Sequence, residues 1–394
     1  MRLNKINKLS RKTVKFGLLL IELPKVFWFN LKILVMRQKK AVLMNITTTN
    51  EFFYLKPILN SLARDRRYLI IISADRKIYS DLKKLFKTKM KLSLPIVNLF
   101  WANAFGRLNF YINATLSYDT IVPAKAKYKI NLPHSIVSKS KSDIFSPVIE
   151  KMTDIFATGQ AFIQDLKNYY RDNRLDNLLK IHNVGCPKSD ALFSGQVNKI
   201  DLLKEIGLDP DLPTVFYAPT WNQEASVYSW IEDILNLPEK FKINLIIKLH
   251  PGVYVDPDKK KVSGGVNWRN YFQSEHLRQK RIYNILNEDS TDFVKITDVA
   301  ITDISTTWIE FYLTKKPIIF LDIPEFFKKY EFNSLGDVRN AYGYLVKDVG
   351  ELDKIVSAII TNNLKLKNPP LIDEQLIFNR GKATSAALEI INSL

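Results

Sequence analysis

VAITDISTTWIEFYLTKKPIIFL, residues 299–321, passes from an apolar run through a polar turn into an apolar stripe and out into another apolar run. Val299 to Thr302 is short and bounded by turn residues, as a buried strand would be; Thr307 to Leu313 carries a helical face, and Pro317 to Leu321 reads as a second strand. Strand, helix and strand in so little chain make a parallel crossover, because parallel neighbours need a connection of helix length. The polar residues at 303–307 then fall just beyond a strand's carboxyl end, where open parallel sheets bind their ligands.

The same alternation extends towards the N-terminus. Ala41–Thr47, Arg67–Ser73 and Pro95–Phe100 read as strands, separated by helices at Glu51–Asp65 and Ser80–Lys89. Asn109–Ser117, Lys127–Leu132 and Asp154–Ala157 are weaker strands, followed by a helix at Gln160–Tyr170 and a strand at Ile181–Val184. A stretch holding Gly185, Pro187, Gly207, Pro210 and Pro213 interrupts the pattern, which restarts with strands at Val215–Ala218 and Asn244–Leu249. The expected fold class is α/β, with two Rossmann-like, doubly wound domains whose strand ends face a cleft. The expected divisions are a basic arm at 1–40, a domain at 41–190, a linker at 191–212, a second domain at 213–372, and a helix at 373–394 returning to the first domain. Two domains also suit 394 residues, more than one hydrophobic core usually supports.

Composition narrows the function. A 46% hydrophobic fraction excludes a mainly disordered chain, and the single Cys186 excludes an internal disulfide and a cysteine-rich zinc site, fitting a reducing compartment. The net charge of +18 calls for an anionic partner. Residues 1–40 hold eleven Lys or Arg against the one acid Glu22, interleaved with Phe27, Trp28, Phe29 and Leu31. Glu22, Pro24, Lys25, Asn30 and Lys32 break the apolar run too often for a spanning helix, and no signal-peptide cleavage site follows it. Two readings stay open: a solvated arm with a helix packed on the fold, or an interfacial segment at an anionic membrane, with Trp28 and Lys32 among its contacts. No nucleic acid is expected as partner.

Four segments put polar residues just after strand-like runs: Asn131-Leu-Pro-His-Ser135, Ala218-Pro-Thr-Trp221, Lys248-Leu-His-Pro251 and Ile301-Thr-Asp-Ile-Ser-Thr-Thr307. Together with Glu310, Lys316–Phe320 and Phe378–Thr384, in this order, they make residues 125–394 resemble the CDP-glycerol glycerophosphotransferase family of teichoic acid and capsule synthesis, which has the two-domain GT-B architecture. Ser135 stands where that family has Gly, Asn222 where it has Arg, and Ile304 where it has Tyr. The resemblance implies a peripheral enzyme at the cytoplasmic face of the membrane, with an N-terminal acceptor domain and a C-terminal nucleotide-donor domain. It would take a CDP-linked donor and a lipid-linked or polymeric anionic acceptor.

Under that resemblance His134 and His250 are the catalytic candidates. A neutral imidazole can take the acceptor's proton near neutral pH, which suits His134 as base, and His250 suits the donor phosphate, although the roles could be exchanged. Ser305, Thr306, Thr307 and Lys248 are expected at the donor phosphates, Glu310 and Thr220 at the nucleotide, and Lys139, Lys141 and Arg269 at the acceptor or membrane. Thr307-Trp-Ile-Glu310 also matches a capping box, in which Glu310 would fold back on its helix start. His182 and His276 lie outside these motifs and read as structural or surface residues. No metal or other cofactor is expected; the pairs Asp209/Asp211 and Asp256/Asp258 read as surface turns. Rival readings are a GT-B glycosyltransferase using a nucleotide sugar, a UDP-sugar 2-epimerase, and a non-catalytic membrane- or nucleic-acid-binding module.

Overall fold

The computed structural model describes residues 22–116, 120–134, 136, 146–176, 179–221, 223–254, 265–272, 280–286, 288–332, 335–361 and 373–394. Lys139, Lys141, Ser135, Asn222, Asp256, Asp258, His276 and the first 21 residues lie outside them.

Two wholly parallel sheets organise the chain. The first holds β1 (Lys40–Ile46), β2 (Tyr68–Ala74), β3 (Ile96–Asn98), β4 (Leu108–Asn113), β5 (Ala126–Asn131), β6 (Asp154–Ala157) and β7 (Lys180–Asn183) in the order 3-2-1-4-5-6-7. The second holds β8 (Thr214–Tyr217), β9 (Asn244–Ile247), β10 (Ile282–Asn284), β11 (Val299–Thr302), β12 (Ile318–Leu321) and β13 (Tyr344–Val346) in the order 10-9-8-11-12-13. Strand order therefore reverses between β1 and β4 in one sheet and between β8 and β11 in the other. The central strands are buried on both faces, which explains why VLMNI and VAIT read as continuous apolar runs rather than alternations.

The first sheet carries a polar row across its carboxyl ends. Asn45 is in register with Ser73 and Asn113, and Asn113 with Asn131; Ser73 Oγ donates to Asn45 Oδ1 at 3.0 Å and Asn131 Nδ2 to Asn113 Oδ1 at 2.9 Å. All four are buried, so these bonds offset the cost of taking amides and a hydroxyl out of water.

Some expectations need correction. The stretch 191–212 is not plain linker, since it contains the helix Lys199–Glu205 and the last residues of another at Asp190–Phe193. Ser80–Lys89 is not one α-helix: Tyr79–Leu85 passes into a π turn at Phe86–Met90. The C-terminal helix is broken, with Asp373–Leu376 and Ala383–Ser393 separated by left-handed backbone at Asn379 (φ 45°) and Gly381 (φ 72°). Before that break the chain crosses between the sheets, where Phe378 N donates to Thr158 O at 2.7 Å. Two glycines admit it: a Cβ at Gly159 would strike the Leu376 carbonyl, and one at Gly185 (φ +90°) the Phe378 carbonyl. Asp190 caps the final helix, accepting from Ala383 N at 3.0 Å and Thr384 N at 2.7 Å, and Ala387 and Ile391 enter the core of the first sheet.

The helix Leu23–Val35 lies against the first sheet's domain. Val26 and Ile33 are buried in its core, Glu22 accepts from Arg76, Tyr79 and Asn98 N, and Asn30 bridges Ala104 O and Gly106 N. Its other face is open: Phe27 is 72%, Trp28 53%, Leu34 54% and Val35 71% exposed. Among the described residues no helix is long and apolar enough to cross a membrane.

Candidate active site

Each sheet's reversal of strand order brings two loops together at its carboxyl edge, and both pairs of loops carry candidate residues. In the first sheet Thr47 follows β1, and Ala114 follows β4. Thr47 N donates to Glu51 Oε2 at 2.8 Å, and Thr47 Oγ1 also bonds this carboxylate. Burial raises the Glu51 pKa, against the opposing pull of the Thr47 bonds and of the nearby His134. His134, exposed beyond β5, sets Nδ1 2.8 Å from Ala114 O. A carbonyl can only accept, so Nδ1 carries the hydrogen and Nε2 of the neutral ring keeps its lone pair, the arrangement a general base requires. The edge of the Tyr54 ring meets the imidazole with centroids 6.2 Å apart.

In the second sheet Asp303 ties the two loops together. Fully buried, it accepts from Thr220 N at 2.8 Å, Ile304 N at 2.6 Å and Ser305 N at 3.1 Å through Oδ1, and from Ser226 N at 3.0 Å and Ser226 Oγ at 2.8 Å through Oδ2. The N–H of Ser305 is thereby used. Those of Thr306 and Thr307 meet no acceptor among the described residues, and Ser305 Oγ lies 3.1 Å from Thr307 Oγ1. The capping-box alternative is not what forms: Thr307 makes no side-chain cap bond, and Glu310 turns elsewhere.

Glu310 Oε1 accepts from Lys188 Nζ at 2.6 Å, with both side chains buried. Lys188 comes from the turn Pro187–Ser189, reaches Ser290 Oγ at 3.4 Å and sits 5.0 Å from the centre of the Tyr54 ring. Burial alone would lower its pKa, but Glu310, Tyr54 and Asp289 together hold it raised. Lys248, just past β9, has the opposite fate: burial, reinforced by the charge of Lys188, pulls it down to about 8. Tyr54 belongs to the helix Thr49–Arg64 after β1, and Glu310 to the helix Trp308–Leu313 after β11. The carboxyl ends of the two sheets thus meet through Tyr54, Lys188 and Glu310. Two buried atoms, Glu310 Oε2 and Thr220 Oγ1, have no hydrogen-bond partner among the described residues. Past Lys248, His250 stacks on Trp221 with centroids 5.7 Å apart.

A model of the family described as CDP-Glycerol:Poly(glycerophosphate) glycerophosphotransferase matches residues 165–360. The region 165–360 is a member of the CDP-glycerol glycerophosphotransferase family. A teichoic acid glycerol-phosphate primase of Bacillus spizizenii is 26% identical over 188 residues, covering 46% of this chain and 44% of the primase, so the match spans less than half of that relative. Structures of the wall teichoic acid polymerase TagF share the fold, one with a TM-score of 0.62 at 13% identity over 94% of this chain and 96% of that one. UDP-GlcNAc 2-epimerase from Methanocaldococcus jannaschii shares it too, with a TM-score of 0.54 at 16% identity over 90% of this chain and 100% of that one. The chain therefore has the GT-B fold of paired parallel sheets.

Within this glycerophosphotransferase frame, Thr220, Lys248, Ser305, Thr306, Thr307 and Glu310 all follow carboxyl ends of the second sheet. His134 follows the first. Arg269 is more remote from them in kind: it is exposed on the short helix Trp268–Tyr271, 6.0 Å from the Tyr254 ring. His182 is structural, paired with Asp154 at 2.7 Å between β7 and β6. Sequence reasoning passed over Lys188, Tyr54 and Glu51, and placed Asp303 in the candidate turn at 303–307 without giving it a role. Only Asp303 had a visible signal, an acid directly after a strand; Lys188 lay in a stretch without periodicity, and Tyr54 and Glu51 were absorbed into a helix.

Proposed function

We propose that the protein transfers a polyol phosphate, glycerol phosphate or similar, from a CDP-linked donor to a hydroxyl of a lipid-linked or oligomeric cell-surface acceptor. The acceptor oxygen bonds to the phosphorus that carries the polyol, the phosphoanhydride bond to the cytidylate breaks, and CMP leaves with the electron pair. His134 Nε2 takes the hydroxyl proton. Lys248, His250, the N–H groups of Thr306 and Thr307 and the Ser305 hydroxyl carry the negative charge of the donor and of the leaving group. Glu310 Oε2 and Thr220 Oγ1, buried without a partner among the described residues, accept from and donate to the nucleotide's hydroxyls. No metal enters this scheme, so turnover is expected to persist in EDTA.

The observation that carries the reading is the family match together with an Nδ1-anchored His134 against the Tyr54 ring and a Lys248 that feels the charges of the Lys188–Glu310 pair. The test is to incubate the protein with CDP- and UDP-linked donors and an acceptor, and to identify the nucleotide released. CMP supports phosphotransfer. A nucleoside diphosphate would instead make the protein a glycosyltransferase, and no release from any donor would favour a non-catalytic module.

The location proposed is the cytoplasmic face of the membrane. The open face of Leu23–Val35 supports it, because Phe27, Trp28, Leu31, Leu34 and Val35 are presented on a helix fixed to the domain, with Lys32 Nζ 5.5 Å from the Trp28 ring. Basic residues beside exposed aromatics suit an anionic lipid surface, where charge attracts and the apolar face inserts.

A further inference from the structure

Two motifs that the reaction leaves without a role meet at one pocket. Lys316 begins the segment Lys316–Phe320 and Arg380 lies in Phe378–Thr384; both line a cavity of about 480 Å³ together with Phe193, Lys295 and Lys315. No Asp or Glu is among its described lining residues. The carboxylate whose charge acts on Lys316 is Asp298, itself bonded to Lys199 Nζ at 2.6 Å and Thr214 N at 2.8 Å. Burial lowers the Lys316 pKa; the Asp298 carboxylate opposes this, and the charge of Lys199 adds to the lowering.

Two of the cations are held in place. Lys295 Nζ donates to Ser194 O at 2.6 Å and Gly195 O at 3.3 Å, while Arg380 donates to Leu313 O at 2.8 Å with its guanidinium 4.6 Å from the Phe193 ring. Capping the helix Trp308–Leu313 accounts for the Arg380 contact but not for Lys295 or Lys316. Two of the four lining cations, Lys295 and Arg380, are thus fixed in advance and can meet an anion without first losing side-chain freedom. The pocket precedes β12, at the amino ends of the strands, whereas Ser305–Thr307 follows the carboxyl end of β11. A four-residue strand puts about 13 Å between the two ends, so a ligand here is not the reacting diphosphate.

We infer that this pocket binds a phosphodiester of the anionic acceptor chain, holding the polymer away from the reacting end. This rests on the proposed transfer to a phosphate-containing polymer. Phosphodiesters repeat along such a chain, so one can occupy the pocket while the terminal hydroxyl reacts elsewhere.

The experiment measures binding of a synthetic glycerol phosphate oligomer to the full chain, to Lys315→Glu/Arg380→Glu, and to the milder Lys315→Gln/Arg380→Gln, whose side chains keep part of their packing should the reversal fail to fold. Affinity is expected to fall at least about tenfold on charge reversal, the scale of losing charge-assisted contacts to phosphate, and less in the Gln variant. Transfer to a single-unit acceptor should stay unchanged while polymer products become shorter. Equal oligomer affinity in all folded proteins overturns the inference. So does loss of binding to anionic-lipid vesicles with oligomer binding kept, which would make this a headgroup site. Binding needs no turnover, so absence of CMP release would count against the proposed reaction without altering the binding result.

Discussion

Lys188 Nζ and Glu310 Oε1 lie 2.6 Å apart although 122 residues separate them in sequence, and both side chains are buried. The pair joins the turn after β7 to the helix after β11, and the Tyr54 ring from the first sheet's domain covers the ammonium. Three parts of the chain thus converge on one charge pair beside the proposed donor site.

Removing one member should cost more than removing both. Lys188→Met leaves a carboxylate buried without its cation and is expected to lower stability by about 3–5 kcal/mol, whereas Lys188→Met/Glu310→Gln recovers most of it. Urea unfolding of the three proteins checks this. A Lys188→Met protein as stable as the parent would mean that Glu310 is not held by this pair.

Lys248 gives the donor site a pH response. Its ammonium loses its proton near pH 8, so donor affinity should weaken as pH rises through that value and stay flat with pH in Lys248→Met. Because the folded value lies below that of an ordinary lysine, the group costs stability below about pH 8, and this cost fades as pH climbs towards the ordinary lysine range. Binding a phosphate should raise the value again. Calorimetry in buffers of different ionisation enthalpy should therefore show proton uptake on donor binding above pH 8.

Asp303 organises the donor loops. Asp303→Ala abandons three backbone N–H groups on Oδ1 and both Ser226 donors on Oδ2, and is expected to cost at least about 3 kcal/mol. Asp303→Asn keeps the shape but turns an amide N–H towards these donors, so nucleotide affinity should fall even where the fold survives. Titration with CMP, read against the thermal transition, separates the two effects.

The histidines should matter for rate. His134→Ala and His250→Ala are each expected to reduce turnover at least about 100-fold with the fold retained, the range of general-base and charge-stabilising groups. If His250→Ala left donor affinity and rate unaltered, its proposed role would be wrong.

Membrane binding is best tested by substitution. Deleting residues 1–40 would also strip Val26 and Ile33 from the core and Glu22 from its bonds. Phe27→Ser/Trp28→Ser/Leu31→Ser alters only the open face, and should lose most sedimentation with anionic vesicles while keeping transfer to a soluble acceptor. Salt should weaken binding of the parent protein without abolishing it, since apolar insertion is not screened. Undiminished binding by the triple variant would move the anchor elsewhere.

Much of the fold could be read from sequence because its central strands are doubly buried and therefore continuously apolar, as at Leu43 or Ile301. The edge strands Ile282–Asn284 and Tyr344–Val346 were missed, being three residues long and too short to show a period. The loops after the strands were legible for the same reason the strands were. The turn at Pro187–Ser189 was not, since what makes Lys188 significant is a carboxylate and an aromatic ring brought to it by tertiary packing. That packing also explains why the alternative capping box does not form: Glu310 bonds Lys188 instead of its own helix start.

The broken C-terminal helix bears on how the protein is made. Ala387 and Ile391 share a buried cluster with Val42, Leu59 and Ile112, so the core of the first sheet includes residues translated after the whole second sheet. Domains usually mature in order of synthesis, the N-terminal one first. Here the leading domain emerges from the ribosome with an apolar seam still open, and closes it only after the whole trailing domain has been threaded through. During that interval the seam is a target for chaperones.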